Sequence, residues 1–350
     1  MTELMPLENN EGAKKLIRCY EIASADGIGS LALNQRDDPI PGRGEVLIQV
    51  RASSINYRDL MMIEDPVPRG VRYPTIPNSD AAGDVIAVGP GVSAVKVGDR
   101  VATCFFQRWD SGTITSDGMD SALGGALDGV LSEQVVLGEK GVIRFPDHLS
   151  YNEASTLPCA ALTAWHALVE FADIQPGETV LLLGTGGVSI FALQFACMLG
   201  ARTIVISSSD EKIQRARSMG AVGSVNYQTT PEWHERVLEL TDGVGVDVVV
   251  EVGGAGTLER SVAATRVAGR IALIGVLAGG TMNPTMMMRK SIRLQGIYVG
   301  SHDMFKRMNE AISSDQMKPV IDQTFPFADA ASAYYAMQQA EHLGKLVVTF

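Results

Sequence analysis

From about residue 178 onward, short apolar β segments alternate with helical segments, and this alternation constrains the fold more than any other feature of the sequence. The β segments are nearly continuous in apolar residues, as is typical of parallel strands buried on both faces. A helix after each strand supplies the crossover that parallel strands need. The pattern therefore predicts an α/β fold with a Rossmann-type, doubly wound parallel sheet. The six segments are ETVLLLG, RTIVIS, SVNY, VDVVVEVG, GRIALIG and SIRLQGIYV.

The amino-terminal part of the chain has a different pattern. Between residues 17 and 150, β segments such as EVLIQVRASSI are separated by glycine and proline breaks such as PGRGE, which predicts a small barrel-like β domain. The last helical and strand segments, FPFADAASAYYAMQQA and GKLVVTF, are expected to pack back on that domain. We therefore expect one domain to comprise residues 1–154 and 315–350, and the dinucleotide-binding domain to comprise residues 155–314.

The charge and the cysteines exclude several classes of protein. A net charge of −11 gives the phosphate backbone of a nucleic acid nothing to bind. The N-terminal MTELMPLENNEGAKK lacks the cations and apolar core of a signal peptide, and no apolar run reaches the roughly 18 residues that span a bilayer. Four widely separated cysteines fit a reducing compartment. We expect a soluble, cytoplasmic protein without nucleic-acid or membrane partners.

The string LLLGTGGVS contains a candidate phosphate-binding loop between the first strand of the alternating region and its helix. A glycine permits the tight turn, and another lets the backbone approach a pyrophosphate at the positive end of the helix dipole. The alternative is a glycine turn without a ligand, but a strand before and a helix after are the context that the motif requires. The candidate cofactor residues in this loop are Gly184, Thr185, Gly186, Gly187 and Val188.

The end of the second strand indicates which dinucleotide binds. A carboxylate there would bind the ribose 2′-hydroxyl of NAD, but RTIVISSSDEK ends in serines. Ser207, Ser208 and Lys212 offer hydroxyl donors and a cation to a 2′-phosphate, which favours NADP(H). The alternative is that Asp210 caps the helix and the serines form only a polar loop.

Several strings resemble the medium-chain dehydrogenase/reductase superfamily, and more closely its zinc-free quinone oxidoreductase-like branch. The resemblance covers residues 17 to 350 and implies a GroES-like catalytic domain beside the Rossmann domain. The strings that carry it, apart from the GTGGVS loop, are SINYRDLM (54–61), YPTIPNSDAAGDVIAVGPGVSAVKVGDRV (73–101), LPCAALTAWHAL (157–168) and VNY (225–227).

The resemblance also implies that zinc is absent. Zinc-dependent members place cysteine, histidine and cysteine where this chain has Asn56, Ser79 and Cys159. One thiolate with an amide and a hydroxyl does not make the three-ligand site of a catalytic zinc. The loop that carries four cysteines for a structural zinc in such members has only Cys104 here. We expect no metal site.

Without a Lewis acid, alcohol oxidation becomes difficult, whereas an electron-poor quinone or activated alkene accepts a hydride with less help. The candidate catalytic residues follow one another in the chain: Asn56 as a hydrogen-bond donor to the acceptor's carbonyl, Tyr57 as proton donor, and Arg58 with Asp59 as orienting residues. Solvent is the rival proton source, Tyr57 is alternatively a packing aromatic, and Arg58–Asp59 a structural ion pair. The predicted partner is a small electrophilic acceptor.

Further cofactor residues follow from the resemblance. Tyr227 is expected near the adenosine end, and Lys345 in the cofactor-proximal tail unless it is a solvated lysine. The residues expected to line the nicotinamide and its ribose are Thr163, Val252, Gly253, Gly275, Val276 and Val299.

The last strand of the predicted sheet, 291–299, would be an open apolar edge in a monomer, so we expect a homodimer formed through the Rossmann domains. The apolar patch Met286–Met288 is next to this strand. Two other functions stay open at this point: an NAD(P)-dependent alcohol dehydrogenase and a catalytically silent NADPH-binding redox sensor.

Overall fold

A computed structural model describes residues 16–66, 69–275 and 277–350. The amino-terminal part forms an antiparallel hairpin and the greater part of a larger sheet, in which one long strand pairs with three others. The hairpin strands are β1 (Leu16–Ile22) and β2 (Leu31–Asp37). The strands of the larger sheet are β3 (Glu45–Ile55), β4 (Asp80–Val88), β5 (Arg100–Thr103), β6 (Gln134–Gly138) and β7 (Val142–Arg144). The helices of this part are α1 (Tyr57–Glu64), α2 (Ser116–Met119) and α3 (Tyr151–Ala154), with 3₁₀ turns at Gly27–Ser30 and Glu139–Gly141.

A helical segment that follows α3 connects the two sheets. It consists of α4 (Leu162–Trp165) flanked by π-helical turns at Leu157–Ala161 and His166–Phe171. Such turns are rare and occur mostly at functional sites. The segment contains LPCAALTAWHAL. The apolar pattern of this string did not predict that the chain changes from π-helix to α-helix and back.

The second sheet has six strands, and every neighbouring pair is parallel. Its strands are β8 (Thr179–Leu183), β9 (Arg202–Ser207), β10 (Gly223–Asn226), β11 (Val246–Glu251), β12 (Thr265–Leu273) and β13 (Arg293–Gly296). Its helices are α5 (Gly187–Met198), α6 (Asp210–Ser218), α7 (Trp233–Leu240), α8 (Ala255–Ala264) and α9 (Thr285–Arg289). The spatial order β10-β9-β8-β11-β12-β13 reverses between β8 and β11, where dinucleotides bind in such sheets. The predicted Rossmann-type fold is confirmed.

The carboxy-terminal residues return to the first sheet. They form α10 (His302–Asp315), β14 (Ile321–Pro326), a 3₁₀ turn at Phe327–Asp329, α11 (Ala330–Gln339) and β15 (Lys345–Thr349). Strand β15 lies between β3 and β14, with Leu346 opposite Ile55. The start of β15 therefore lies beside the end of β3. The exact domain boundaries stay a prediction.

Apolar side chains fill the space on both sides of the parallel sheet. Leu181 and Val249 pack in a cluster on one face, and Val180 and Val248 in a cluster on the other. This is the two-sided burial expected for such strands. Within the described ranges, no helix is long and apolar enough to cross a lipid bilayer.

Candidate active site

The glycine loop lies between the carboxyl end of β8 and the N-terminus of α5. Gly184 has a left-handed backbone (φ +74°), and a Cβ added there or at Gly186 would meet no atom within 4 Å. Ser189 Oγ donates a hydrogen bond to Leu183 O (2.6 Å), which ties the helix to the strand. The loop therefore presents its backbone and the positive end of a 12-residue helix to open space. These residues fit a dinucleotide pyrophosphate.

The last glycine of the GTGG string is required for packing instead. A Cβ at Gly187 would lie 2.7 Å from Lys345 Cδ and 3.1 Å from Ala160 Cβ. The loop also accepts a hydrogen bond, from Gly344 N to Thr185 O (3.0 Å). The predicted cofactor loop is thus in direct contact with the carboxy-terminal tail, and the side chain of Lys345 runs past Gly187.

The predicted 2′-phosphate site is partly assembled. Ser207 is buried at the end of β9, Ser208 is exposed, and Ser209 Oγ caps α6 by accepting from Lys212 N (3.4 Å). The Lys212 ammonium donates to Ala340 O (2.8 Å), and burial lowers its pKa. Lys212 therefore joins the Rossmann domain to the end of α11, next to the serines.

The alternative interpretation of this loop made Asp210 the N-cap of α6, but the N-cap is Ser209, one residue earlier. Asp210 is the first residue of α6, not its cap, and its Oδ1 accepts from Asn226 Nδ2 (2.7 Å). Tyr227 is 38% exposed, and its backbone N donates to Ser207 O (3.0 Å). The Tyr227 backbone is therefore adjacent to the predicted adenosine end.

A buried carboxylate fixes the loop after β11. Glu251 accepts from Gly253 N (2.8 Å), Gly254 N (3.0 Å) and Thr257 Oγ1 (2.7 Å), and also from the Ser261 hydroxyl. The sequence predicted Gly253 as a cofactor residue but not the acid that holds it. Glu251 could have been singled out in the sequence because it is an acidic residue at the end of a mostly apolar strand.

Two further predicted lining residues lie side by side at the ends of β11 and β12. A Cβ at Gly275 would come within 1.5 Å of Val252 O, so only glycine permits this close approach. Val276, the next predicted residue, is outside the described residues.

Three predicted cofactor residues remain: Thr163 on the helical connection, Val299 on the segment after β13, and Val188 in the first turn of α5. Thr163 is 3% exposed, and Val299, also 3% exposed, has a left-handed backbone (φ +54°). His166 Nδ1 lies 2.7 Å from Val299 O and donates to it. Val188 follows the glycine loop and packs against the core. The roles of these residues stay predictions.

The start of α1 brings two oppositely charged residues together below an aromatic ring. Asn56 stands at the N-cap, and its backbone amide donates to Asp59 Oδ2 (2.8 Å). Arg58 donates to Asp59 Oδ1 (3.1 Å) and to Leu123 O (2.7 Å), with its guanidinium 4.9 Å from the Phe105 ring centroid. Burial raises the pKa of Asp59, and Arg58 opposes this effect. Arg58 and Asp59 therefore form an ion pair, which was the alternative to their predicted role in orienting the catalytic residues.

The three positions that correspond to zinc ligands bind protein groups instead. Asn56 Oδ1 accepts from Lys345 Nζ (2.5 Å), Ser79 Oγ donates to Asp80 Oδ1 (2.6 Å), and Cys159 N donates to Asp80 Oδ2 (3.1 Å). Burial raises the pKa of the Cys159 thiol far above neutrality, which disfavours the thiolate that binds metal. This donor set does not fit zinc. In the described part of the chain, no group of three His, Cys, Asp or Glu side chains is arranged to hold a metal ion.

Two tyrosines near this cluster have equal exposure but different neighbours. Tyr57 is 45% exposed, and its hydroxyl has no hydrogen bond with the described residues. Tyr298 is also 45% exposed, but its ring packs edge-on against Phe105 (5.6 Å) and Phe106 (5.1 Å). Partial burial raises the pKa of Tyr298, and the adjacent Arg58 guanidinium lowers it. The sequence indicated the YVG segment but not this side chain.

A cavity of about 820 Å³ lies elsewhere, between β7 and α10. Its walls include Phe145, His302 and Lys306, and none of the predicted site residues lines it. The predicted chemistry therefore does not belong to this cavity.

Two family models match the chain. One, described as the alcohol dehydrogenase GroES-like domain, matches residues 42–147, and the other, described as zinc-binding dehydrogenase, matches residues 187–314. The first model covers β3 to β7 of the first sheet, and the second covers β9 to β13 of the parallel sheet.

Individual proteins match over most of their length. A zinc-type alcohol dehydrogenase-like protein of Schizosaccharomyces pombe is 41% identical over 87% of this chain and 90% of its own. An acryloyl-coenzyme A reductase of Metallosphaera sedula is 27% identical over 89% and 94%. The crystal structure of an NAD-dependent alcohol dehydrogenase matches with a TM-score of 0.87 at 30% identity, over 95% of this chain and 99% of that one.

Proposed function

Because this chain belongs to the medium-chain dehydrogenase/reductase superfamily and is an NAD(P)-dependent oxidoreductase, we propose that it reduces an electron-poor acceptor, a quinone or an activated alkene, with NADPH and without zinc. One observation carries the proposal. The side chains at positions 56, 79 and 159 are an amide, a hydroxyl and a protonated thiol, and the first two are hydrogen-bonded to Lys345 and Asp80. That set lacks the thiolate and imidazole ligands that hold a catalytic zinc, which supports a mechanism without such a Lewis acid.

The choice of acceptor follows from the charge that develops on it. Hydride transfer to a quinone or enone leaves an enolate-type oxygen, which hydrogen-bond donors and nearby cations stabilise. When bound, NADPH supplies the hydride. The chain supplies Arg58 as the neighbouring cation and the Tyr298 hydroxyl as the group that holds the proton. The curated acryloyl-coenzyme A reductase acts, by its name, on an activated alkene.

The aromatic side chains near Arg58 favour a flat, conjugated acceptor. The half-exposed Tyr298 ring is held edge-on by two buried phenylalanines, so it offers an aromatic wall to the proposed site. Offset and edge-on packing against such a wall stabilises planar rings and conjugated chains. Tyr57, equally exposed, is the second hydroxyl that we propose near the acceptor.

The preference for NADPH is supported by the end of β9. Ser207 ends this strand where an acid would select NAD, and the exposed Ser208 and the half-buried Lys212 follow it. We expect Lys212 to exchange its contact with Ala340 O for the 2′-phosphate when NADPH binds. Cytoplasmic location belongs to the same proposal, since all four cysteines are free.

Steady-state NADPH oxidation against quinones, enones and aldehydes, with and without a chelator, tests the proposal. We expect turnover of a quinone or enone that the chelator leaves unchanged, and little turnover of aldehydes. Activity lost on chelation, together with about one zinc per chain, would refute the zinc-independent mechanism. Tight NADPH binding without turnover of any acceptor would instead support the redox sensor.

A further inference from the structure

Lys345 is a buried cation with an unusual route through the protein. Only 2% of it is exposed, and its aliphatic stem passes the glycine loop, where its Cδ occupies the space that a Gly187 side chain would need. Its ammonium donates to Ile55 O (2.7 Å) and Asn56 Oδ1 (2.5 Å) at the end of β3. A buried ammonium is costly unless charges and hydrogen bonds compensate it.

The groups around this ammonium supply the compensation. Asp59 and Asp80 are 1% and 0% exposed and interact electrostatically with Lys345. Burial raises the pKa of Asp80 to about 6, and Lys345 opposes that rise. With Arg58 paired to Asp59, the cluster contains two cations and two carboxylates, so its charges balance when all four are ionised.

Every position that corresponds to a zinc ligand is tied to this cluster. Asn56 binds the ammonium directly, and Ser79 and Cys159 bind Asp80, its counter-ion. The Asn56 amide nitrogen lowers the pKa of Asp80, although it makes no hydrogen bond of normal geometry within the described chain. Lys345 therefore also determines which end of this amide points toward Asp80.

We propose that the Lys345 ammonium stands in the place of the catalytic metal, as a fixed cation that positions Asn56 and Asp80 and keeps divalent metals out. The inference rests on the proposed zinc-independent function. Lys345 is a positioning residue, because its ammonium is enclosed and acts through its neighbours. Its charge opposes the binding of a divalent ion beside the surrounding carboxylates, since two cations a few ångströms apart in a buried site repel strongly.

Rebuilding the metal ligands tests this placement. The double variant Asn56→Cys/Ser79→His supplies, with Cys159, the cysteine–histidine–cysteine set. With Lys345 present, we expect it to hold at most about a tenth of a zinc per chain, because the ammonium repels the ion. The triple variant with Lys345→Ala should hold about one zinc per chain by elemental analysis. Adding Lys290→Ala instead is the matched control, which should leave occupancy low. Equal zinc content in the double and triple variants, whether high or low, overturns the proposal.

A second measurement covers a triple variant that does not fold. Lys345→Met removes the cation from the natural chain, and the groups facing the ammonium are Asp59, Asp80, Cys159, Arg58 and His342. His342, whose pKa burial lowers to about 4, stays neutral above pH 5. Asp80 has a raised pKa, so folding stability falls as pH rises from the ordinary range of a carboxyl to about 6. Losing Lys345 raises that pKa further, so the loss of stability continues to higher pH.

We therefore expect Lys345→Met to lower the Tm by roughly 10 °C at pH 8 and by about half as much at pH 5. Lys290→Met is the control, because the Lys290 ammonium binds, among the described residues, only the backbone oxygens of Val262, Ala263 and Thr265. Its loss should not change between pH 5 and 8. A pH-independent loss for Lys345→Met would mean that the residue only packs. Neither the zinc content nor the Tm depends on turnover. Both measurements therefore still test the role of Lys345 if no quinone, enone or aldehyde is reduced.

Discussion

At the residue scale, Tyr57 and Tyr298 are a natural pair for assigning the proton donor. Both are 45% exposed. Tyr57 is the chain neighbour of Arg58, whereas Tyr298 comes near it through the fold, and the Arg58 guanidinium opposes the rise that burial causes in the pKa of the Tyr298 hydroxyl. We expect Tyr298→Phe to lower kcat by about tenfold or more, because general acids contribute at least that much. Tyr57→Phe should change kcat less than about threefold, within the range of a packing residue.

The comparison is made with the accepted enone or quinone, from the pH dependence of kcat in both variants. In the natural chain, kcat should decrease at high pH as the Tyr298 hydroxyl loses its proton. In Tyr298→Phe this decrease should be absent. If Tyr57→Phe has the larger effect, the donor is Tyr57; if neither matters, solvent supplies the proton.

Ser207 tests the cofactor preference. Ser207→Asp places a carboxylate at the end of β9, where it repels a 2′-phosphate and accepts from a 2′-hydroxyl. We expect the KM for NADPH to rise at least about tenfold and the KM for NADH to fall, each shift corresponding to roughly 1.4 kcal/mol or more. Ser218→Asp, at the far end of α6, is the control. Equal KM values for the two cofactors in the natural chain would contradict the assignment.

Residue identity alone was sufficient to interpret the positions of the zinc ligands, but it was not sufficient to predict the contact of Lys345 with Asn56. Asn56 and Ser79 stand at fixed positions in recognisable strings, so a donor set that does not fit zinc could be predicted from their side-chain chemistry. The contact of Lys345 with Asn56 joins residues 289 positions apart. No spacing or periodicity carries that contact, because it exists only after β15 pairs with β3.

At the element scale, two adjacent glycines of the strand–loop–helix unit have separable roles. Gly186→Ala projects a methyl group into open space, so we expect the Tm to change little and the KM for NADPH to rise about tenfold, as the methyl group meets the pyrophosphate. Gly187→Ala forces the same group against Lys345 and Ala160, and overpacking should cost about 1–3 kcal/mol of folding stability. Thermal melts and NADPH titrations of both variants measure the two roles. An unchanged affinity for NADPH in Gly186→Ala would mean that the loop does not hold the pyrophosphate.

The elements themselves were predictable to different degrees. Long apolar runs and helical periodicity placed β3 and β8 and the helix α5 closely, since local sequence determines both patterns. The predicted strand at 291–299 contains only the shorter β13, because its last residues turn toward the site at Val299. Strand β14 was not predicted, since IDQTFP has little of the alternation of a half-buried strand.

At the scale of the whole molecule, we propose a homodimer formed through the free side of β13. This strand is the last of the six-stranded sheet, and Met286 and Met288, 46% and 70% exposed, lie just before it. Light scattering should give about twice the chain mass of 37.4 kDa. Met288→Glu should shift the protein toward monomer, whereas Val244→Glu, at a position 63% exposed on the loop before β11, should not. A monomer at micromolar concentration would show that the edge is covered in another way.

The position of β15 in the first sheet also has a consequence for synthesis. The Lys345 ammonium binds Ile55 O across a separation of 290 residues, and the whole Rossmann domain lies between them. At ribosomal rates, roughly 15 to 60 seconds pass between the emergence of β3 and that of its partner strand. During that interval the carboxylates Asp59 and Asp80 have no ammonium beside them, and the carboxyl half of β3 lacks its neighbour on the side opposite β4. The Rossmann domain can therefore complete its fold on the ribosome before the domain that was translated first.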